Sequence, residues 1–220
     1  MVPPGVPLQP GVVQEVLGAF VLAERREPGE VAVELGPRET ALLAEMPWPL
    51  RRSEWLAGRR VAKRLLEHAF QLSPSRTEVV PLESGAPQVL VDGVPRAGLV
   101  LNISHTKGWA VAAAAIDRVG VDVCDDVDGL RIARIARRVF SKGEAEQCGA
   151  YDSVQTQAAV WALKEAGLKL FLGGVFDPGA RAIRVESLSP PSVIAKPPMR
   201  VELLRLPDAA VAVSRDVTGS

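Results

Sequence analysis

Three short apolar segments follow one another between residues 98 and 124, and they constrain the fold more than any other part of the chain. They are GLVLNIS (98–104), WAVAAAAI (109–116) and VGVDVC (119–124). Only HTKG separates the first two, and only DR separates the last two. Short apolar runs bounded by turn residues are typical of β-strands. The pattern therefore predicts an antiparallel meander of three neighbouring strands.

Three stretches predict helices from the spacing of their apolar residues. The first begins at Ser53, after Pro49, and has a basic outer face. The second spans about 128–139. The third runs from about Ser153 to Phe171, where Gly173 and Gly174 supply a stop. Apart from one short strand, residues 73–97 are predicted to be loop. The remaining strands are predicted at Val12–Leu22, Val31–Leu35, Gln88–Val91, Ala182–Val185, Arg200–Leu206 and Ala209–Val213.

A weak internal repeat indicates how the chain is divided. Trp55 is followed eight residues later by Lys63, and Trp161 is followed eight residues later by Lys169. Both pairs lie in the main predicted helix of their half of the chain. The repeat favours two similar α+β halves, 1–105 and 106–220, and coincidence is the alternative explanation.

The charge balance excludes a strong global field. The chain has 26 basic and 26 acidic residues among its 220, so nothing directs it to nucleic acid or to an anionic membrane. Two cysteines, Cys124 and Cys148, suit a reducing compartment better than a disulfide framework. No basic residue precedes Arg25, and the longest apolar run is far too short for a bilayer. We therefore expect a cytoplasmic protein without nucleic-acid or membrane partners.

Two acidic residues stand where an apolar residue would be more favourable. Asp122 lies in the middle of a predicted strand, and Glu165 lies in the helical segment WALKEAGLKL one turn before Lys169. Separate structural roles are one explanation: a backbone hydrogen bond for Asp122 and a surface ion pair for Glu165 and Lys169. Two carboxylates on packed elements with a lysine beside them also suit Mg²⁺ bound to phosphate oxygens.

Four motifs in order carry a resemblance to a known family. NISHTKGW, VGVDV, FSKGE and WALKEAGLK resemble the ordered motifs of the 4′-phosphopantetheinyl transferases of the surfactin-synthetase-activating type. EWLAGRRVAK resembles a helix common in the first half of those enzymes. The resemblance covers about residues 40–175. The last motif is highly specific, and four motifs in the expected order are stronger than any one alone.

The resemblance implies a fold and a reaction. Members of the family are pseudodimers of two α+β halves, each an antiparallel sheet packed against a long helix, and they bind coenzyme A with Mg²⁺. They transfer its 4′-phosphopantetheine arm to a serine of an acyl or peptidyl carrier protein and release adenosine 3′,5′-bisphosphate. A chain of this type is expected to be a monomeric enzyme.

The resemblance also assigns roles around the pyrophosphate of coenzyme A. Asp122 and Glu165 would hold Mg²⁺, and Glu165 would accept the serine proton directly or through water. Lys169 and Lys164 would balance the charge of the pyrophosphate, with Lys169 as the more direct contact. Positioning and charge neutralisation supply most of the acceleration in phosphoryl transfer, so no protein nucleophile is expected.

Other residues are candidates for binding the remainder of coenzyme A. Ser104 and His105 would contact its 3′-phosphoadenosine end, which requires the strand to finish at that point because neighbouring residues of a strand face opposite sides. Arg59 and Lys63, together with Arg60, form a possible phosphate-facing group. A solvated helix face explains that basic group about equally well.

A basic stripe on the helix at 128–139 is a candidate docking surface. Arg131, Arg134 and Arg138 share one face of that helix. Carrier proteins are acidic near their modified serine, so the stripe is expected to help bind the carrier.

Two positions depart from the family pattern. Cys124 stands where the family usually has a second acid as a metal ligand, and a thiol is too soft a ligand for Mg²⁺. Water or Asp125 would have to replace that acid. Ala86 replaces the lysine of a G-K-P motif that helps to bind coenzyme A. A catalytically degenerate relative that only binds coenzyme A or a carrier protein is therefore the competing hypothesis.

Overall fold

The computed structural model describes residues 5–26, 32–141, 153–171 and 182–217. The chain forms two compact units, the first comprising Pro10–Asp117 and the second combining Met1–Gln9 with Arg118–Ser220. The halves 1–105 and 106–220 stay a prediction; strand Trp109–Ala115 pairs inside the first unit. No helix within the described ranges is both long and apolar enough to cross a membrane.

The strands and helices are numbered in chain order. The strands are β1 (Val6–Pro7), β2 (Gln14–Val16), β3 (Ala19–Arg25), β4 (Thr77–Pro81), β5 (Pro87–Val91), β6 (Val94–Pro95), β7 (Val100–His105), β8 (Trp109–Ala115), β9 (Val119–Asp125), β10 (Arg184–Leu188), β11 (Pro191–Ile194), β12 (Met199–Leu206) and β13 (Ala209–Asp216). The α-helices are α1 (Pro37–Ala44), α2 (Pro49–Phe70), α3 (Gly129–Val139) and α4 (Val154–Leu170). Three-residue 3₁₀ helices lie at Pro74–Arg76 and Asp126–Asp128.

The first unit is built on a four-stranded antiparallel sheet in the order β2–β3–β8–β7. Helix α2 packs across it, and Val61, Leu65 and Leu66 of the helix are completely buried together with the alanines of β8. Small residues on the strand allow the helix to lie close to the sheet. A second sheet, β4–β5–β6, and helix α1 complete the unit.

The second unit repeats this plan with a different connectivity. Its sheet has the order β1–β12–β13–β9; β1 runs parallel to β12, and the other neighbours are antiparallel. Helix α4 packs on this sheet over a core of alanine, leucine and valine side chains. The Ser153 hydroxyl caps α4 by accepting a hydrogen bond from the amide of Thr156 at 3.1 Å. Each unit thus pairs a largely antiparallel sheet with a long helix, which confirms the α+β prediction.

The predicted three-stranded meander is only half correct. Strands β7 and β8 pair antiparallel as expected, but β9 pairs with β13 and not with β8. Because β8 already has β3 on one side and β7 on the other, no edge remains for a further strand. The three residues between β8 and β9 therefore lead out of one sheet instead of forming a hairpin.

Several predicted boundaries also change. Helix α2 begins at Pro49 and not at Ser53, because proline suits the first helical position, where its missing N–H is not needed. Helix α1 and strands β1, β4, β6 and β11 were not predicted, and residues 32–36 form no strand. The predicted single strand Val12–Leu22 is instead the antiparallel pair β2 and β3. The other predicted strands and helices are present with shifted ends. The predicted turn at 27–30 and the stop at Gly173 and Gly174 lie outside the described residues.

Candidate active site

Strand β9 lies unusually close to helix α4 at Gly120. A Cβ atom at this position would be 2.0 Å from the carbonyl oxygen of Ala166 and 2.6 Å from the hydroxyl of Ser214. No side chain fits in that space, so only glycine permits this contact. Alternation along the strand places Gly120, Asp122 and Cys124 on the same face, towards α4. The close contact therefore brings Asp122 towards the helix that carries Glu165.

Asp122 and Lys169 form a direct ion pair. The Nζ atom of Lys169 is 2.8 Å from Oδ1 of Asp122 and 3.2 Å from the carbonyl oxygen of Val121. The Asp122 side chain is only 8% exposed, whereas Lys169 is 27% exposed. Lys169 thus connects the last turn of α4 to the middle of β9.

Glu165 shares this environment. The pKa of its carboxyl is raised from 4.5 to about 7, mainly by burial and then by the nearby charge of Asp122, while Lys169 partly opposes the shift. The residue is 9% exposed. Asp122 is therefore near enough to influence the ionisation of Glu165, and Asp122, Glu165 and Lys169 form one largely buried cluster.

The chemistry of this cluster fits Mg²⁺. With both carboxyls ionised, the single ammonium of Lys169 leaves one excess negative charge in a largely dry site. Mg²⁺ prefers oxygen ligands and is commonly held by one or two carboxylates, with phosphates and water completing the shell. Within the described ranges, no group of three or more His, Cys, Asp or Glu side chains is placed to hold a metal. Asp122 and Glu165 are the residues here that could hold the ion.

Cys124 does not supply a further ligand of the expected kind. Burial raises the pKa of its thiol, and the surrounding aspartates, led by Asp122, raise it further. The neutral thiol donates to the carbonyl of Asp125 at 3.7 Å. Asp125 follows on the opposite face of the strand, and Asp126 is held by Arg205 at 2.8 Å. This arrangement favours water over Asp125 as the replacement for the family's second acid.

Lys164 is placed differently from Lys169, although both lie on α4. Its side chain is almost completely buried, its ammonium donates to the carbonyl of Ile183, and its Nζ lies 5.9 Å from the ring centre of Phe140. The structure therefore brings Lys169 to the acidic cluster and directs Lys164 into the hydrophobic interior. A contact between Lys164 and pyrophosphate stays a prediction.

The first unit contains a cavity of about 430 Å³ that is lined by two predicted binding residues, Arg59 and His105. Ile103 also lines it, as expected for a residue on the same face of β7 as His105. Ser104 is buried on the intervening position and does not line the cavity. Strand β7 ends at His105, so the predicted strand end is present.

Arg59 is a buried cation whose positive charge is only partly balanced by its neighbours. Its guanidinium lies 4.4 Å from the ring centre of Trp55, and its Nε is 3.9 Å from Oε1 of Glu39 and has no hydrogen-bond partner. Burial lowers the pKa of Arg59 to about 10, and Glu39 partly opposes this shift. A buried cation that faces a cavity is a favourable place for an anion.

Lys63 lies deeper than predicted. Its ammonium is 2.7 Å from Oε2 of Glu39 and also donates to the carbonyls of Glu34 and Pro74. Glu39 is completely buried and in addition accepts hydrogen bonds from the amides of Gly36 and Val79. The structure thus uses Lys63 to hold α1 and α2 together, and its contact with coenzyme A stays a prediction. No sequence signal indicated Glu39, because α1 was not predicted.

The basic stripe on α3 is exposed. The side chain of Arg131 is mostly exposed, and its Nη1 atom is 3.2 Å from Oδ1 of Asp128. Arg134 and Arg138 are also exposed. The apolar side chain of Leu130 on the same helix is also exposed. Mixed basic and apolar surface is suited to binding an acidic protein. The acid of the FSKGE motif, Glu144, lies outside the described residues.

Comparisons with known proteins agree with the motif assignment. A profile of the 4′-phosphopantetheinyl transferase superfamily matches residues 118–205. The holo-[acyl-carrier-protein] synthase of Geobacillus kaustophilus (strain HTA426) is 38% identical over 94 residues, which cover 39% of this chain and 70% of that protein. The synthase of the same name from Bacillus subtilis (strain 168) is 33% identical over 75 residues, covering 31% of this chain and 62% of that protein.

A solved structure is also similar. It is a holo-(acyl-carrier-protein) synthase from Bacillus anthracis str. Ames in complex with CoA (3′,5′-ADP), with 22% sequence identity and a TM-score of 0.38. The match covers 44% of this chain and 93% of that chain.

Proposed function

Because the chain belongs to the 4′-phosphopantetheinyl transferase superfamily, we propose that it transfers the 4′-phosphopantetheine arm of coenzyme A to a serine of an acyl or peptidyl carrier protein. The observation that carries this proposal is the buried cluster of Asp122, Glu165 and Lys169. Two carboxylates and a lysine are what a metal-assisted transfer from a diphosphate requires.

In the proposed reaction the serine oxygen bonds to the phosphorus on the pantetheine side of the diphosphate. The bond from that phosphorus to the bridging oxygen breaks, and adenosine 3′,5′-bisphosphate leaves with that oxygen. The serine proton passes to Glu165 directly or through water.

Each residue of the cluster has a separate part in this scheme. Asp122 and Glu165 would hold Mg²⁺, which when bound would neutralise charge on the diphosphate. Lys169 holds Asp122 in place and offers its partly exposed ammonium to a phosphate oxygen. Lys164 stabilises α4 from the other side, so the proposal does not depend on it.

The cavity of the first unit would take an anionic part of coenzyme A. Arg59, with its unpartnered Nε, and His105 both line that cavity, and they are the residues that we assign to this binding. Gly85 and Pro87 also line it, so the loop that carries Ala86 in place of the family's lysine is at its rim. Ser104 and Lys63 do not line the cavity. They would then support the residues that do.

The carrier protein would bind to the exposed stripe on α3. Arg131, Arg134 and Arg138 offer positive charge, and Leu130 offers an apolar contact on the same helix. Electrostatic complementarity of this kind steers association and fixes orientation. We further propose that the protein is a cytoplasmic monomer without nucleic-acid or membrane partners, and light scattering tests the monomer.

The test is incubation with coenzyme A, Mg²⁺ and an apo carrier protein, followed by the intact mass of the carrier. We expect a gain of one phosphopantetheine that is lost with Asp122→Asn and with Glu165→Gln. Several carriers from fatty-acid, polyketide and peptide synthases are included. No gain with any of them would reject the transferase.

A non-catalytic relative is the second candidate, because Cys124 and Ala86 replace two residues that usually bind metal and coenzyme A. Such a protein would bind coenzyme A or a carrier protein without turnover. Isothermal titration with coenzyme A distinguishes the two candidates: binding without any mass gain on the carriers supports this one.

A further inference from the structure

Ser214 has a completely buried hydroxyl beside the acidic cluster, in a part of the fold to which no role has been assigned. It lies on β13 directly opposite Gly120 of β9 and has no exposed surface. Its hydroxyl donates to the carbonyl oxygen of Ala166 on α4 at 2.8 Å. The carbonyl oxygen of Gly120 is 3.5 Å away, at the limit of hydrogen bonding.

The position of this bond relates it to both carboxylates. Ala166 follows Glu165 directly on α4. Gly120 precedes Asp122 by two residues on the same face of β9, and the register of β13 then places Ala212 opposite Asp122. The Ser214 hydroxyl thus links two places. One is the backbone of α4 next to Glu165, and the other is the pair of strands β13 and β9, of which β9 carries Asp122.

The bond is not needed to satisfy the helix. The carbonyl of Ala166 lies within α4, where a carbonyl accepts from the amide four residues later. The other β13 residues on this face, Ala210 and Ala212, contact α4 with methyl groups only. An alanine at position 214 would therefore leave no buried polar group without a partner. What Ser214 adds is a specific hydrogen bond between α4 and the sheet.

A hydrogen bond at this place controls the rotation of α4 relative to strand β9. Gly120 allows the backbones of β9 and α4 to approach closely. The absence of a side chain limits only how short the distance between them can become. A directional hydrogen bond determines both separation and rotation. Small shifts of α4 would move Glu165 relative to Asp122, and a metal ion needs its ligands within narrow limits.

We propose that Ser214 is a positioning residue, whose hydrogen bond to Ala166 sets the separation of Asp122 and Glu165 for one divalent cation. The proposal rests on the assignment of these two acids as metal ligands in the proposed function. It concerns how the ion is held, and it adds no step to the transfer reaction.

The test compares Ser214→Ala with a matched variant on the same strand, Val213→Ala. Val213 is equally buried but faces the other side of the sheet, opposite Val121. Ser214→Ala removes one buried oxygen and Val213→Ala removes two buried methyl groups, so both variants are expected to lower the unfolding temperature. With coenzyme A held constant, Mg²⁺ is titrated, and the rise in unfolding temperature gives the midpoint. The Mg²⁺ midpoint of turnover is measured in parallel.

We expect Ser214→Ala to raise the Mg²⁺ midpoint roughly tenfold, as is typical when a residue that orients a metal ligand is lost. Val213→Ala should leave the midpoint near that of the wild type. A midpoint unchanged in Ser214→Ala, or raised equally in both variants, overturns the proposal. If Ser214→Ala does not fold, Ser214→Cys takes its place under the same criteria, because a thiol is a much weaker donor of similar size.

The thermal readout also separates this inference from the proposed function. If the wild-type protein is stabilised by Mg²⁺ but modifies no carrier, the transferase assignment fails and the comparison of the two variants still decides the role of Ser214. If the wild type is active and the variants do not differ, only the role of Ser214 is rejected.

Discussion

At the scale of single residues, the buried carboxyl of Glu165 determines how the site responds to pH. Its pKa is raised from an ordinary 4.5 to about 7, so the folded protein binds this proton more tightly than the unfolded chain does. When the folded state binds more protons, stability falls as the pH rises. The metal-free protein should therefore lose stability between about pH 4.5 and 7.

Glu165→Gln tests this pH dependence. The amide does not ionise, so the variant should match the wild type near pH 5 and exceed its stability at pH 8. The difference should approach about 3 kcal/mol, since one pKa unit corresponds to about 1.4 kcal/mol. Urea unfolding of both proteins with a chelator present gives the two values. An equal difference at pH 5 and pH 8 would contradict the raised pKa.

Lys164 and Lys169 lie on one helix but have different surroundings. We expect Lys169→Met to lower kcat/KM roughly a hundredfold, because the proposed reaction would lose a positive charge at the phosphate. Lys164→Met should mainly lower the unfolding temperature, since Ile183 loses its buried donor. Steady-state kinetics and thermal unfolding of both variants measure this. If instead Lys164→Met lowers kcat/KM and Lys169→Met mainly lowers the unfolding temperature, Lys164 is the residue that contacts the pyrophosphate.

The sequence predicts the charged residues of the site better than their surroundings. Asp122 and Glu165 were identifiable because each stands at a position where an apolar residue is otherwise favoured. The distinct orientations of Lys164 and Lys169 depend on the rotation of α4 against the sheet, which the motif alone does not contain. Glu39 and Ser214 have no local signal, because their main partners lie 20 or more residues away along the chain.

At the scale of secondary structure elements, the contact between β9 and α4 depends on Gly120. A methyl group there would be 2.0 Å from backbone, so the helix itself would have to move. We expect Gly120→Ala to destabilise the protein by about 3 kcal/mol or more and to remove Mg²⁺-dependent stabilisation. Thermal unfolding with and without Mg²⁺ measures both effects.

Gly167→Ala is the matched control for that variant. Its added methyl would be 2.6 Å from Cε of Met199 and 2.8 Å from Cδ1 of Ile183, which are the ends of flexible side chains. Side chains of this kind can adjust, so the loss of stability should be clearly smaller than in Gly120→Ala. Equal losses would show that the close backbone contact is not what matters.

The elements also show where local patterns stop being informative. Strands β7 and β8 were paired correctly because only three residues connect them. Strand β9 was assigned to the wrong neighbour, because its true partner β13 follows more than 80 residues later. The alternation of apolar residues identifies a strand and its faces, but it does not identify the strand beside it.

At the scale of the whole molecule, recognition of a carrier protein should depend on the charge of α3. Arg134→Glu with Arg138→Glu is expected to raise KM for the carrier about tenfold or more, because like charges would then meet. The affinity for coenzyme A should not change. A control with the same change of charge, Arg96→Glu with Arg200→Glu, alters exposed residues outside α3. Kinetics with varied carrier decide the matter, and equal effects of both double variants would reject docking on α3.

The second unit is discontinuous in the chain, and this has a consequence for biosynthesis. Strand β1 precedes the first unit in the chain and pairs with β12, which follows it. A ribosome therefore makes β1, then the contiguous first unit, Pro10–Asp117, and only later β12. Domains that emerge early can fold during translation. The first unit can fold before β12 has been made, whereas the sheet of the second unit cannot be completed until then.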